Sequence, residues 1–128
     1  MTAEQRRLKR TRLIERVRTV EQRESALAAA QAEAQRARLD TVSEKTRALA
    51  AHYASLNTAT DAQSLRRSGA MSSHLRDLSN AAERHARDAR EQSEASMAAL
   101  AQTERRRKRA EEDYREAASC LREKLAKR

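Results

Sequence analysis

Proline, phenylalanine and tryptophan are missing from this 128-residue chain, glycine and cysteine occur once each, and tyrosine occurs twice, as Tyr53 and Tyr114. Without proline, no residue clashes with its own preceding turn and so bars a helix. With two tyrosines and no other large aromatic, the chain cannot line the apolar, ring-rich cavity that small-molecule sites use. Cys120, as the one thiol, excludes an intramolecular disulfide and a cysteine metal cluster, and it fits a reducing compartment. No apolar run nears the roughly 20 residues of a membrane span. Residues 1–18 are charged throughout and lack the apolar centre of a secretory signal. The expectation is a soluble, cytoplasmic chain with no transmembrane segment, associated with a membrane at most peripherally.

Catalytic patterns are missing as well. Serines are plentiful, but none sits in G-x-S-x-G or S-x-x-K, and the lone Gly69 cannot build a phosphate-cradling loop. His74 and His85 lie eleven residues apart, about three turns along one helix face, whereas ligands on one helix need a spacing of three or four. With His52 they read as solvated surface histidines. The chain is expected to be no enzyme and to hold no cofactor and no metal.

What the chain does have is alanine (27), arginine (23), glutamate (14), leucine (12) and lysine (5), together 81 residues, the composition of long helices. Leucine, isoleucine and valine number only 16, and alanine buries too little area to drive a thick core. Few bulky apolar residues and a net charge of +9 leave two outcomes: a thin helical coiled coil, or a chain that folds on its partner.

One segment interrupts the pattern. Residues 57–69 collect Asn57, Thr58, Thr60, Asp61, Ser64, Ser68 and Gly69, all turn-favouring types. Thr60-x-x-Gln63 reads as a capping box that opens a short helix at about 61–67, which Gly69 ends before Ser72 or Ser73 caps the next. Thr2-x-x-Gln5 is a comparable start signal. The fold class is therefore all-α: one helical-hairpin domain over 1–128, with helices at about 3–57 and 71–127 around a turn at about 58–70.

Heptad spacing supports the hairpin. On the first arm Leu13, Val17, Val20, Glu24, Leu27, Gln31 and Ala34 step by four and three, and Leu39, Val42, Thr46, Leu49, Tyr53 and Leu56 resume after a slip. The second arm gives Met71, Leu75, Leu78, Ala82, Ala86 and Ala89, then Ser93, Met97, Leu100, Thr103, Arg107, Ala110, Tyr114, Ala117 and Leu121, with Cys120 as a small neighbour. If the turn folds the arms antiparallel, facing residue numbers keep a constant sum, as Leu13 with Tyr114, Leu27 with Leu100 and Leu49 with Leu78 do. Polar seam positions such as Glu24, Gln31 and Arg107 cost stability, fix register, or leave a surface for another helix.

Charge is uneven: residues 1–25 and 104–128 carry +4 each, and the 78 between them +1. A hairpin sets these arms side by side, gathering Arg6, Arg7, Lys9, Arg10 and Arg12 with Arg105, Arg106, Arg107, Lys108 and Arg109. Such an end attracts acidic protein, nucleic acid or membrane surface, while a merely solvated basic face carries equal weight. Specific nucleic-acid readout is not expected, because stacking aromatics and groove-reading motifs are absent. Near the turn, Leu49, Tyr53, Leu56, Met71, Leu75 and Leu78 form the densest apolar group, most of it read as seam; Tyr53 is its candidate partner anchor, and packing of Tyr53 under the turn carries equal weight.

The charged start RRLKRTRLIERVR, the turn after HYASLN and the basic end RRRKRAEEDYREAASCLREKLAKR resemble, over nearly the whole chain, the FliJ/YscO family of flagellar and type III secretion proteins. The resemblance implies a cytoplasmic antiparallel coiled coil, similar to the stalk of rotary ATPases. Its terminal arms would enter the export ATPase ring, with Arg10, Arg12 and Arg107 facing the ring. Leu49, Tyr53, Leu56, Leu75 and Leu78 match the family's patch for the export gate, and that surface would also meet substrate chaperones. The rivals are a basic coiled coil that binds nucleic acid nonspecifically and a self-associating scaffold.

Overall fold

The computed structural model describes residues 1–55 and 61–127. They form two helices, α1 (Ala3–Ser55) and α2 (Ala62–Ala126), which pack against each other, and no strand occurs among the described residues. None of these helices is long and apolar enough to cross a membrane.

The start of α1 follows the sequence. The Gln5 amide donates to Thr2 Oγ1 at 3.2 Å and the Thr2 amide donates to Gln5 Oε1 at 2.9 Å, a reciprocal box that satisfies two otherwise orphaned donors. At the other end, Ser55 Oγ donates to the His52 carbonyl at 2.8 Å.

The start of α2 departs from expectation. Asp61 is the cap: the Ser64 amide donates to Asp61 Oδ1 at 2.6 Å, and the Leu65 amide donates to the Asp61 carbonyl at 3.0 Å. Thr60, of the expected capping box, and the part of the turn at 56–60 lie outside the described residues. From Ala62 the helix runs through Gly69 without a break, so no separate helix ends there and neither Ser72 nor Ser73 caps a new one. Gly69 has no positive φ, and a Cβ built on it meets nothing within 4 Å. A glycine stops a helix only where the chain turns into the left-handed region, and here flanking helix formers carry it onward.

Packing divides into two units, one of Met1–Ala30 with Ala95–Arg128 and the other of Gln31–Glu94. In the first unit, Lys124 pairs with Glu4 and Arg7 approaches Glu116 at 3.8 Å, so the two helices run antiparallel. In the second, Arg90 bonds Asp40 at 3.1 Å and Ser93 Oγ donates to Glu33 at 3.0 Å, again antiparallel.

On α2 the packed face keeps most of the expected seam. Leu75, Ala82, Ala86, Ala89 and Ser93 of the second unit are buried or half-buried, as are Leu100, Thr103, Arg107, Ala110, Tyr114, Ala117 and Leu121 of the first. Ser72, Ser79 and Ser96 replace Met71, Leu78 and Met97, one residue away in each case, and the spacing of three and four then runs from 72 to 121 with no slip.

On α1 the correction is larger. In the first unit the half-buried or buried positions that keep a spacing of three and four are Glu4, Leu8, Thr11, Glu15, Arg18, Gln22, Ser25 and Ala29. Those of the second continue at the same spacing through Ala32, Arg36, Leu39, Ser43, Thr46 and Ala50. The expected stripe of Leu13, Val17, Val20, Glu24, Leu27, Gln31 and Ala34 is exposed. Following that stripe and then Leu39 would require a step of five residues, which at about 100° per residue turns the packed face by roughly 140°. A continuous α-helix keeps its phase instead, and the phase that includes Leu39 and Thr46 leaves Leu13 to Leu27 outside.

The seam is thus built from small side chains. The buried apolar residues are Ala29, Leu75, Ala86, Ala89, Ala110 and Ala117, joined by Ser43 and Ser93. Each alanine contributes little transfer energy, so the hairpin draws much of its order from helix propensity. Gly69→Ala should therefore stabilise the chain by about 0.5–1 kcal/mol, since it fills open space on an exposed helix. Thermal unfolding followed by circular dichroism measures this, and a loss of stability would mean that α2 does not run through position 69.

Candidate interaction surfaces

Three groupings carry the chemistry. The first is the basic surface of the first unit. Arg6, Arg10 and Arg12 on α1 and Arg105, Arg106 and Arg109 on α2 are exposed. Arg7 is half-buried and leans toward Glu116. Arg107 is also half-buried, and its guanidinium is occupied: it donates to Glu104 at 2.7 and 3.3 Å and to Glu111 at 3.1 Å, while Arg115 reaches Glu111 at 2.6 Å. The hydrogen bond from Arg107 holds the Glu104 carboxyl below its usual range. Ile14, Arg18, Arg106, Arg109, Ala110 and Asp113 line a shallow groove within this unit.

The second grouping lies in the second unit and was not anticipated as a network. Arg36 occupies a seam position and donates to Glu33 through Nε at 2.9 Å and through Nη2, and to Asp40 at 2.7 Å. Arg90 crosses from α2 to Asp40, and Ser93 crosses to Glu33. The signal was in the sequence: Glu33-x-x-Arg36-x-x-x-Asp40 and Glu104-x-x-Arg107-x-x-x-Glu111 share one spacing, which sets an acid one turn away on either side of an arginine. Both arginines fall on the packed face, where a cation must keep partners to be tolerated. No buried side-chain nitrogen or oxygen among the described residues lacks a hydrogen bond.

The third grouping is the apolar set toward the turn. Leu49, Tyr53, Met71 and Leu78 are exposed, whereas Leu75 is only 8% exposed and belongs to the seam. Leu56 lies outside the described residues. The Tyr53 ring meets His52 edge to face, with centroids 6.2 Å apart. His74 and His85 are exposed on α2, Cys120 is half-buried, and no cluster of metal-binding side chains occurs among the described residues.

The chain matches no family model, no curated protein and no solved structure. The groupings must therefore be judged on their own chemistry.

Glu33 gives that chemistry a direct readout. Hydrogen bonds from Arg36 and then Ser93 pull its carboxyl from the ordinary 4.5 down to about 2. Because the folded value lies below the unfolded one, the stabilisation is complete above about pH 4.5 and is lost as pH falls toward 2. Glu4, Asp61 and Glu104 are lowered in the same direction, so helicity should decline over that acid range. Carboxyl titration by NMR should find Glu33 near pH 2, and both Arg36→Gln and Ser93→Ala should return it toward 4.5.

Proposed function

We propose that the chain is a non-enzymatic, cytoplasmic accessory protein of flagellar or type III protein export, a stalk-like coiled coil that engages the export ATPase ring. The reading rests on the resemblance to the FliJ/YscO family. One observation supports it most: the chain's two terminal arms pair within a single unit, joined by Glu4 and Lys124, with exposed arginines on both helices. A two-helix stalk entering a ring needs its termini paired and its surface charged, since it must stay solvated while it meets ring subunits. Arg6, Arg10, Arg12, Arg105, Arg106 and Arg109 would supply that surface, while Arg107, tied to Glu104 and Glu111, would serve the hairpin itself. The exposed Leu49, Tyr53 and Leu78 of the other unit would contact the export gate or substrate chaperones.

The same exposed arginines also suit nonspecific binding to nucleic acid, whose mark is an affinity that falls steeply with salt. The test is the ATPase rate of the export ATPase near its oligomerisation threshold, with and without this protein, against a basic coiled coil of matched charge. Stimulation beyond the control is expected. R105E/R106E/R109E should bring it to the control level with helicity unchanged, and Tyr53→Ala should retain it while weakening gate binding. Equal effects of the two variants would overturn the two-surface reading. A rate unmoved by the wild-type chain would overturn the stalk reading.

A further inference from the structure

Leu13, Ile14, Val17, Val20 and Leu27 of α1 are 43–61% exposed, all within the first unit. Scattered exposed apolar residues need no explanation, but a row of them at regular spacing does. With Glu24, positions 13, 17, 20, 24 and 27 alternate steps of four and three, the spacing of a helix-pairing seam. At about 100° per residue this stripe lies on the side of α1 opposite Leu8, Thr11, Glu15, Arg18 and Gln22, the face packed on α2. The helix therefore carries two seams, and α2 fills one.

We propose that the exposed stripe is a second pairing seam and takes an acidic amphipathic helix of another protein as a third strand. Its basic edge chooses the occupant. Lys9, Arg16 and Arg23 run along one edge, and Arg6 and Arg10 continue the row itself toward the N-terminus, all exposed. The other edge carries Ile14 and Glu21, and Glu21 is held by Arg18 at 3.0 Å. A second copy of this chain would set that basic edge against itself when antiparallel, and Arg6, Arg10 and Glu24 each against its own kind when parallel and in register, whereas glutamates flanking a partner's apolar row would meet the cations of that edge. An anionic lipid surface suits that edge but not the centre, because Glu24 stands within the apolar row and would be pressed against like-charged headgroups. In a helix partner the same Glu24 faces one basic residue and fixes the register. The proposal does not rest on the export reading, since it turns on the apolar row with Lys9, Arg16 and Arg23, which the ring-facing reading leaves aside, and shares only Arg6 and Arg10 with it.

The test uses the full chain and two synthetic three-heptad peptides with leucine at the pairing positions, one flanked by glutamate and one by lysine. Fluorescence anisotropy should show the glutamate peptide binding one to one and at least about tenfold tighter than the lysine peptide. V17S/V20S/L27S should lose that binding at least about tenfold with helicity unchanged, because these side chains lie outside the α2 seam. If that variant fails to fold, K9E/R16E/R23E, which keeps the apolar row, decides alone by reversing the preference toward the lysine peptide. Equal affinity for the two peptides, or binding indifferent to both variants, would overturn the proposal. So would a dimer of the chain alone, or binding to phosphatidylserine vesicles tighter than to the peptide, if V17S/V20S/L27S abolished it.

Discussion

The packing of alanine and serine along the facing sides of α1 and α2 is the constraint from which the other features follow. Ala86 and Ala117 are 0% and 2% exposed, and no large side chain among the described residues is fully buried. Side chains this small leave little area to hide, so each half of the hairpin holds together by many weak contacts and by the helix-forming habit of its residues. A seam of that kind tolerates arginine, threonine and glutamate within it, because their stems lie along the neighbouring helix while their polar ends find partners. It also leaves the bulky side chains unused.

That last point explains how far the sequence could be read. The all-α hairpin, the Thr2–Gln5 box and most of the α2 seam follow from composition and spacing, because on α2 Leu75, Leu100, Leu121, the seam alanines and Tyr114 share one heptad phase. On α1 two phases compete. The bulky residues from Leu13 to Leu27 mark one of them, and hydrophobicity favours it. The other is marked by Thr11, Ser25, Ala29 and Ser43, which periodicity in hydrophobicity does not register. Only the requirement that one helix keep one phase as far as Leu39 and Thr46 selects it. The start of α2 was illegible for a related reason: Gly69 and the serines around it are turn residues by type, yet the helix formers on either side outweigh one glycine's cost.

The surfaces sort by what the seam leaves over. On the first unit the charge outside the seam is mainly cationic, and along one edge it flanks an apolar row that α2 does not cover. On the second unit the charge is drawn inward, with Asp40 and Glu33 bonded across to α2, and what remains outside includes Leu49, Tyr53, Met71 and Leu78. The basic termini were visible as charge runs. The inward network was hidden, because acids spaced around an arginine are common on solvated helices and acquire meaning only once the arginine is known to face a neighbour.

The clamp at Arg107 has one further implication. Glu104 and Glu111, its partners, both belong to its own helix. If α1 and α2 part at that level, the guanidinium keeps every ion pair it has and no charge is stranded, so opening costs only the weak contacts of the small residues. At Asp40 and Glu33 the bonds reach the other helix, and opening breaks them. Parting the helices therefore breaks no ion pair around Arg107 and breaks some around Asp40. Within the first unit the crossing pairs lie nearer the termini, at Glu4–Lys124 and Arg7–Glu116, so an opening around Arg107 is an internal one that those pairs close on the terminal side.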